Sequence, residues 1–284
     1  MKKLILIALL AWSGHSFAQK HEYTTHISKQ FNVQKGASAG VLSVYNVFGD
    51  VKIEGYSGSQ VTMDIDETIV ADNGAELDRA KKEFKLGFDQ RADSIYAYTA
   101  APYDSRPYVY HPHDSEHNER KYIVKLAYTI KVPYDINVIA STVNDGEIDV
   151  KDVYGKLKVN NVNGGISIKN AKGVTDAYTV NGPVTAYYLA VPSAASSYYT
   201  VNGKVEVTFP AGLSGDMQFK SLNGEFYTDF TDIEALPTEV VKTIAKKSNT
   251  TTYKLNKNTA VRIGKGGKLF KFETLNGDVY IKKA

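Results

Sequence analysis

A chain of 284 residues, 43% of them hydrophobic, can bury a sizeable core without staples, and its lack of any cysteine excludes disulfides, thiolate metal sites, a lipidated-cysteine anchor and a thiol nucleophile. The near balance of 34 Lys and Arg against 31 Asp and Glu, net +3, argues against nucleic-acid binding by bulk electrostatics. Twenty tyrosines beside a single tryptophan suit a β-rich chain with many half-exposed aromatics.

Residues 1–18 read as a secretory signal: Lys2 and Lys3, an apolar run from Leu4 to Trp12, then Ser16-Phe17-Ala18 with small residues where a signal peptidase cuts. Cleavage after Ala18 leaves one domain, 19–284. The apolar run is shorter than the roughly 20 residues a membrane span needs, and no other stretch approaches that length. The expectation is an exported chain, periplasmic or at the cell surface, with no transmembrane segment once the signal is removed.

From Tyr23 to Ile53 the chain is strand-like, and Val61 to Val70 alternates apolar and polar residues. Ala75 to Phe84 is expected to be a short helix with Leu77, Ala80 and Phe84 on one face. Phe88–Tyr98 and Tyr122–Val132 return to strand, and the polar, proline-containing stretch 100–121 reads as a long surface loop. A second helix is expected from Thr238 to Lys247 behind Pro237, followed by strands at Thr251–Leu255, Ala260–Ile263, Leu269–Thr274 and Asp278–Lys282. The two helices are candidates for capping the ends of a repeat column.

The repeat core is 132–230. Glycines 146, 155, 164, 173 and 182 are spaced by nine, and apolar residues fall two, four and seven positions later. Ile148, Val150 and Val153 follow Gly146; Leu157, Val159 and Val162 follow Gly155; Ile166, Ile168 and Ala171 follow Gly164. Thr175, Ala177 and Val180 make a weaker set, and Val184, Ala186 and Leu189 follow Gly182. Alternation marks a strand with one buried face, and the jump of three marks a corner.

Asn-Gly recurs at Asn163-Gly164, Asn181-Gly182, Asn202-Gly203, Asn223-Gly224 and Asn276-Gly277. Such pairs ordinarily signal hairpins. Side-chain parity opposes that: the flanks of Asn202-Gly203 are Val201 and Lys204, whereas the apolar partner of Val201 is Val205. The pairs therefore read as solenoid corners, chosen because Asn and Gly tolerate left-handed backbone angles. Two halves of nine make rungs of 18 residues, lengthening to 21. The fold expected is all-β, a right-handed parallel β-helix (a single-stranded β-solenoid) with two short helical insertions, in which Asn163, Asn181, Asn202 and Asn223 stack as a ladder.

The stretch VPYDINVIASTVNDGEIDV, followed by VNGGISI, TVNGPVTA, TVNGKVEV, SLNGEFY and TLNGDVYI, resembles the bacterial putative-adhesin family of exported β-strand-repeat domains, relatives of autotransporter adhesin heads. The resemblance covers Gly40–Ile281 in outline and is specific from Val132 to Phe230. It implies a parallel β-helix and an envelope or surface location, and it carries over no catalytic residue.

Three candidate sites follow from the residues. His111, His113 and His117, with Asp114 and Glu116 among them, could hold zinc, copper or nickel. Their spacing matches no established site, and a solvated loop is the simpler reading. Tyr178 and Tyr199 hold the same place in consecutive YTVNG rungs, as a stacking ladder or a ligand-contact face. Catalysis on a β-helix would need clustered carboxylates on one outward face. The outward Asp149, Ser167 and Thr185 share one side while Lys158 and Asp176 share the other as a cross-rung ion pair, so no acidic pair results. The function expected is a non-catalytic envelope protein, an adhesin or surface or periplasmic assembly module, needing no cofactor and meeting an envelope protein or a glycan. The alternative is a carbohydrate-binding or carbohydrate-processing β-helix.

Overall fold

The computed structural model describes residues 20–33, 37–92, 94–107, 120–247 and 250–284. The expected signal segment and His111, His113 and His117 lie outside the described residues. Strands β1 (His21–Asn32), β2 (Val41–Tyr45), β3 (Val51–Tyr56) and β4 (Gln60–Ala71) precede helix α1 (Gly74–Glu83). Then come β5 (Lys85–Arg91), β6 (Ser94–Ala101), β7 (Tyr122–Pro133), β8 (Asn137–Ser141), β9 (Ile148–Lys151), β10 (Leu157–Asn160) and β11 (Ile166–Ala171). They are followed by β12 (Thr175–Tyr178), β13 (Val184–Tyr188), β14 (Ser196–Tyr199), β15 (Val205–Phe209), β16 (Gly215–Lys220) and β17 (Phe226–Thr228). Two long strands, β18 (Ile233–Lys247) and β19 (Thr250–Ile263), then β20 (Leu269–Glu273) and β21 (Val279–Lys283), complete the order.

Helix α1 forms where it was expected. Asn73 caps it by accepting the Glu76 amide at 2.9 Å, Glu76 lies in the first turn, and Lys81 and Lys82 lie in the last. It buries Ala80 against the core. The second expected helix is instead part of β18, paired antiparallel with β19. Val240, Val241, Thr243 and Ile244 are β-branched and favour a strand. Pro237, lacking an N–H, falls at the register shift between Leu236 and Glu239.

The result is all-β apart from α1 and one 3-10 turn among the described residues, with two sheets of mixed orientation. Sheet A runs β1-β4-β7-β3-β9-β11-β13-β15-β21-β17, and sheet B runs β18-β19-β16-β20-β14-β12-β10-β8-β2-β6-β5. From β7 to β17 in sheet A, and from β6 to β16 in sheet B, every neighbouring pair is parallel. Antiparallel strands occur only towards the ends, at β1-β4-β7, β5-β6 and β16-β19-β18. Consecutive short strands alternate between the sheets, and their facing sides fill one core.

Regular winding in sequence order holds only from β8 to β15. The β2/β3 rung sits between β6/β7 and β8/β9, and the β20/β21 rung sits between β14/β15 and β16/β17. Each out-of-sequence rung is thereby paired on both edges, so neither presents an open template to another chain. The core is aliphatic around Ile148, Val150, Ile166 and Ile168, and becomes aromatic further on. Stacked pairs there include Tyr188–Phe209 and Tyr198–Phe272, and the buried Tyr198 hydroxyl donates to that of Tyr188 at 2.6 Å. The rung offset rises from 18 to 21 residues over the same region.

The corners differ from the sequence expectation in which residue turns inward. Val162, Val180 and Val201 are only half-buried, and Leu189 is exposed while Tyr188 is buried. The fully buried position is the one before the valine, or before Leu275 in the last rung: Thr142, Asn161, Thr179, Thr200 and Thr274. Each uses its side chain to satisfy a glycine carbonyl one rung away. Thr142 donates to Gly49, Asn161 to Gly146, Thr179 to Gly164, Thr200 to Gly182 and Thr274 to Gly203, at 2.8–3.1 Å. A valine could not do this, so the polar residue occupies the inner place.

The Asn-Gly pairs also have a different physical cause from the one expected. No asparagine of these pairs has positive φ. Their amides form a continuous ladder: Asn163 donates to Asn144, Asn181 to Asn163, Asn202 to Asn181, Asn276 to Asn202 and Asn223 to Asn276, all at 2.7–2.8 Å. The ladder includes the expected four, with Asn276 inserted between Asn202 and Asn223. The glycines are required by close approach. A Cβ on Gly164 would lie 2.1 Å from the Gly146 carbonyl oxygen, and one on Gly203 would lie 2.2 Å from that of Gly182.

Candidate functional site: a groove on the outer face of sheet B

The feature best formed to receive a ligand is an open groove of about 760 Å³ on the outer face of sheet B. Its volume is within the range of small-molecule sites, roughly 300–1,000 Å³. Tyr45 of β2, Tyr96 of β6, Ile139 of β8, and Lys158 and Asn160 of β10 form its floor, with Asp89 and Arg91 of β5 at one end. Parallel registration places Tyr96, Ser43, Ile139 and Lys158 in one outward row, and Tyr98, Tyr45, Ser141 and Asn160 in the next. Four strand steps separate β5 from β10, so the groove runs about 19 Å along the stack.

The wall is the segment after β6, folded back over the sheet. Ser105 staples it: its Oγ donates to the Tyr45 carbonyl at 2.7 Å and accepts the Thr99 amide at 2.9 Å. Arg106 then lies over the Tyr98 ring, 3.8 Å from the centroid, and forms ion pairs with Asp89 at 2.9 Å and Asp104 at 2.5 Å. The Tyr98 hydroxyl donates to Asp89 at 3.1 Å. Burial pushes the Tyr45 phenol up, and the hydrogen bond to Asp104 raises Arg106. Asp89 is therefore held by both Arg106 and Tyr98. Arg91 and Lys158, at the two ends of the groove, form no ion pair among the described residues.

Tyr178 and Tyr199 extend the outer row beyond Asn160. Their rings stack with centroids 4.6 Å apart and planes 1° from parallel. Each spends one face on the other, so neither ring can offer both faces to a ligand. Lys158 and Asp176 are in register, but no ion pair joins them; Asp176 instead accepts a hydrogen bond from Ser197 Oγ. Asp149, Ser167 and Thr185 line up on sheet A.

A second polar cluster, unread from the sequence, lies on the exposed outer side of β1 and β4. His26 Nδ1 meets Asp66 at 2.7 Å and its Nε2 meets Ser28 Oγ at 3.1 Å, an order of groups that a hydrolytic triad would use. Ser28, however, gives its proton to Asp64 at 2.7 Å. The cluster is a ladder of strand-paired side chains on an open surface. No group of three or more His, Asp or Glu is placed to hold a metal among the described residues. Nor, among them, is any helix long and apolar enough to cross a membrane.

No protein-family model matches the chain, and no curated protein matches it. Solved structures similar to it include a putative cell adhesion protein from Clostridium sporogenes ATCC 15579, at 10% identity and TM-score 0.41, covering 92% of this chain and 100% of that one. Another is a putative adhesin from Bacteroides fragilis NCTC 9343, at 12% identity and TM-score 0.30, with 92% and 97% covered. A third is a putative lipid binding protein from Parabacteroides distasonis ATCC 8503, at 9% identity and TM-score 0.25, with 91% and 96% covered.

Proposed function

We propose that the chain is a non-catalytic exported envelope protein, adhesin-like, in which a right-handed β-solenoid serves as a rigid support for one recognition face. The observation that carries this reading is the groove over β5, β6, β2, β8 and β10, whose wall is fixed by Ser105 and Arg106. A site on paired strands, locked by packing and outer hydrogen bonds, is pre-organised and loses little entropy on binding. Asp89 and Asp104 are both tied to Arg106, which leaves neither carboxylate in a position to act as a free acid or base. That favours recognition over carbohydrate processing. The signal-like 1–18 segment supports export.

The test is binding of the labelled 19–284 chain to cell-envelope preparations, alongside fractionation of the cells that make it. The wild type is expected to bind, Tyr96→Ala to lose binding, and Tyr187→Ala, which alters an exposed tyrosine on the outer side of sheet A, to keep it. Equal binding by the two variants, or turnover of a polysaccharide, would sink the reading.

A further inference from the structure

We infer that the groove is built for an acidic glycan, a short oligosaccharide carrying carboxylates, held by Arg91 and Lys158 at its two ends. This rests on the recognition reading above and deepens it. Three observations converge. The two cations have no ion-pair partner among the described residues, whereas Arg106 between them is neutralised by Asp89 and Asp104. The span between β5 and β10, about 19 Å, gives a short oligosaccharide room to lie along the stack with an acidic group at each end. Between the cations lie Tyr45, Tyr96 and Ile139, half-buried surfaces on which sugar rings can pack, with the Asn160 amide beside them for hydroxyl groups.

The geometry assigns each group a part. Arg91 and Lys158 form charge-assisted hydrogen bonds to carboxylates, Tyr45 and Tyr96 pack against the ring faces, and Asn160 both donates and accepts. Neutral sugars would bring neither cation a counter-charge. Acidic ones would.

Calorimetry of the 19–284 chain with a short oligogalacturonate, and with the matching neutral galacto-oligosaccharide, tests this. The oligogalacturonate is expected to bind, at least about tenfold more tightly than the neutral sugar, and more weakly as salt rises. Arg91→Gln and Lys158→Gln should each lower its affinity about tenfold. Lys271→Gln, an exposed lysine further along the Lys158 row and outside the groove, should leave it unchanged. Equal affinity for the neutral sugar, lost in Tyr96→Ala, would overturn the acidic assignment while leaving the recognition reading intact. Oligogalacturonate binding indifferent to Arg91→Gln and Lys158→Gln, or absent altogether, would also overturn the assignment. The recognition reading itself falls if envelope binding ignores Tyr96→Ala or if the chain turns over a polysaccharide.

Discussion

Asn276 donates its side-chain amide to Asn202, 74 residues earlier, at 2.7 Å, and accepts the amide of Asn223 at 2.8 Å. One asparagine from the last rung in sequence is thus wedged between two from rungs that precede it. The same order governs the hydroxyl column, where Thr274 reaches Gly203 and Ser221 reaches Gly277. The rung-to-rung contact at the corners is a matched set: an amide ladder outside, a hydroxyl or amide on a glycine carbonyl inside, and no room for a Cβ between.

Gly164→Ala is expected to destabilise by about 1–3 kcal/mol, because the new methyl would press on the carbonyl of Gly146. Gly74→Ala is its control, since a Cβ there meets nothing within 4 Å; its effect should stay within about 0.5 kcal/mol. Urea midpoints of the two variants measure the contrast.

Thr179→Val keeps shape and removes the hydrogen bond to the Gly164 carbonyl, at a cost of about 1 kcal/mol. A further contrast separates the inner position from its neighbour. Val184→Asp places a charge at a fully buried site and should unfold the chain, whereas Val180→Asp, at a half-buried site, should leave it folded. Circular dichroism at room temperature distinguishes the two.

The Tyr178–Tyr199 stack should appear as a coupling of about 0.5–1.5 kcal/mol in a double-mutant cycle to alanine. A value near zero would mean that the two rings merely share an exposed row.

Glu67 lies on the inward side of β4 among Ile65 and Ile69, and burial pushes its carboxyl up. A carboxyl whose folded pKa is raised contributes stability fully below its unfolded value, and that contribution is lost as pH climbs through the folded value. Glu67→Gln should therefore match the wild type near about pH 4 and exceed it near about pH 8. Denaturant midpoints measured across that window report the crossing, and a gap constant with pH would remove Glu67 as its source.

The spacing of nine and the Asn-Gly pairs were enough to read the stacking and the alternating inward face, because Ile148, Ile166 and Val184 repeat one environment. They could not reveal the order of the outer rungs. Asn202, Asn223 and Asn276 carry the same chemistry, so nothing local says which stands beside which. The inner hydroxyls were visible as the Thr of TVNG and TLNG, but a hydrophobic count passes over them and points to the neighbouring valine. The second helix was misread because Pro237 before an apolar run suits a helix start as well as a strand irregularity, and the long antiparallel pairing with β19 decides between them. The groove was the least legible part. Tyr45, Arg91, Tyr96, Arg106 and Lys158 come from separate segments with no shared period, and only the rung insertion brings β2 and β6 beside β8 and β10.

The double pairing of β21 also sets how the molecule bears load. Tension applied at Ala284 pulls on a strand that lies parallel to both β15 and β17, paired with β15 over Val279–Lys283 and with β17 over Val279–Ile281. Pulled along its own axis, such a strand is not peeled away bond by bond as a free edge is; its ladders must slide together, on two sides at once. Resistance to forced unfolding is a matter of rate, set by the barrier to that concerted slip. The rung that breaks sequence order thus acts as a mechanical clamp, built from ordinary hydrogen bonds by their direction relative to the pull.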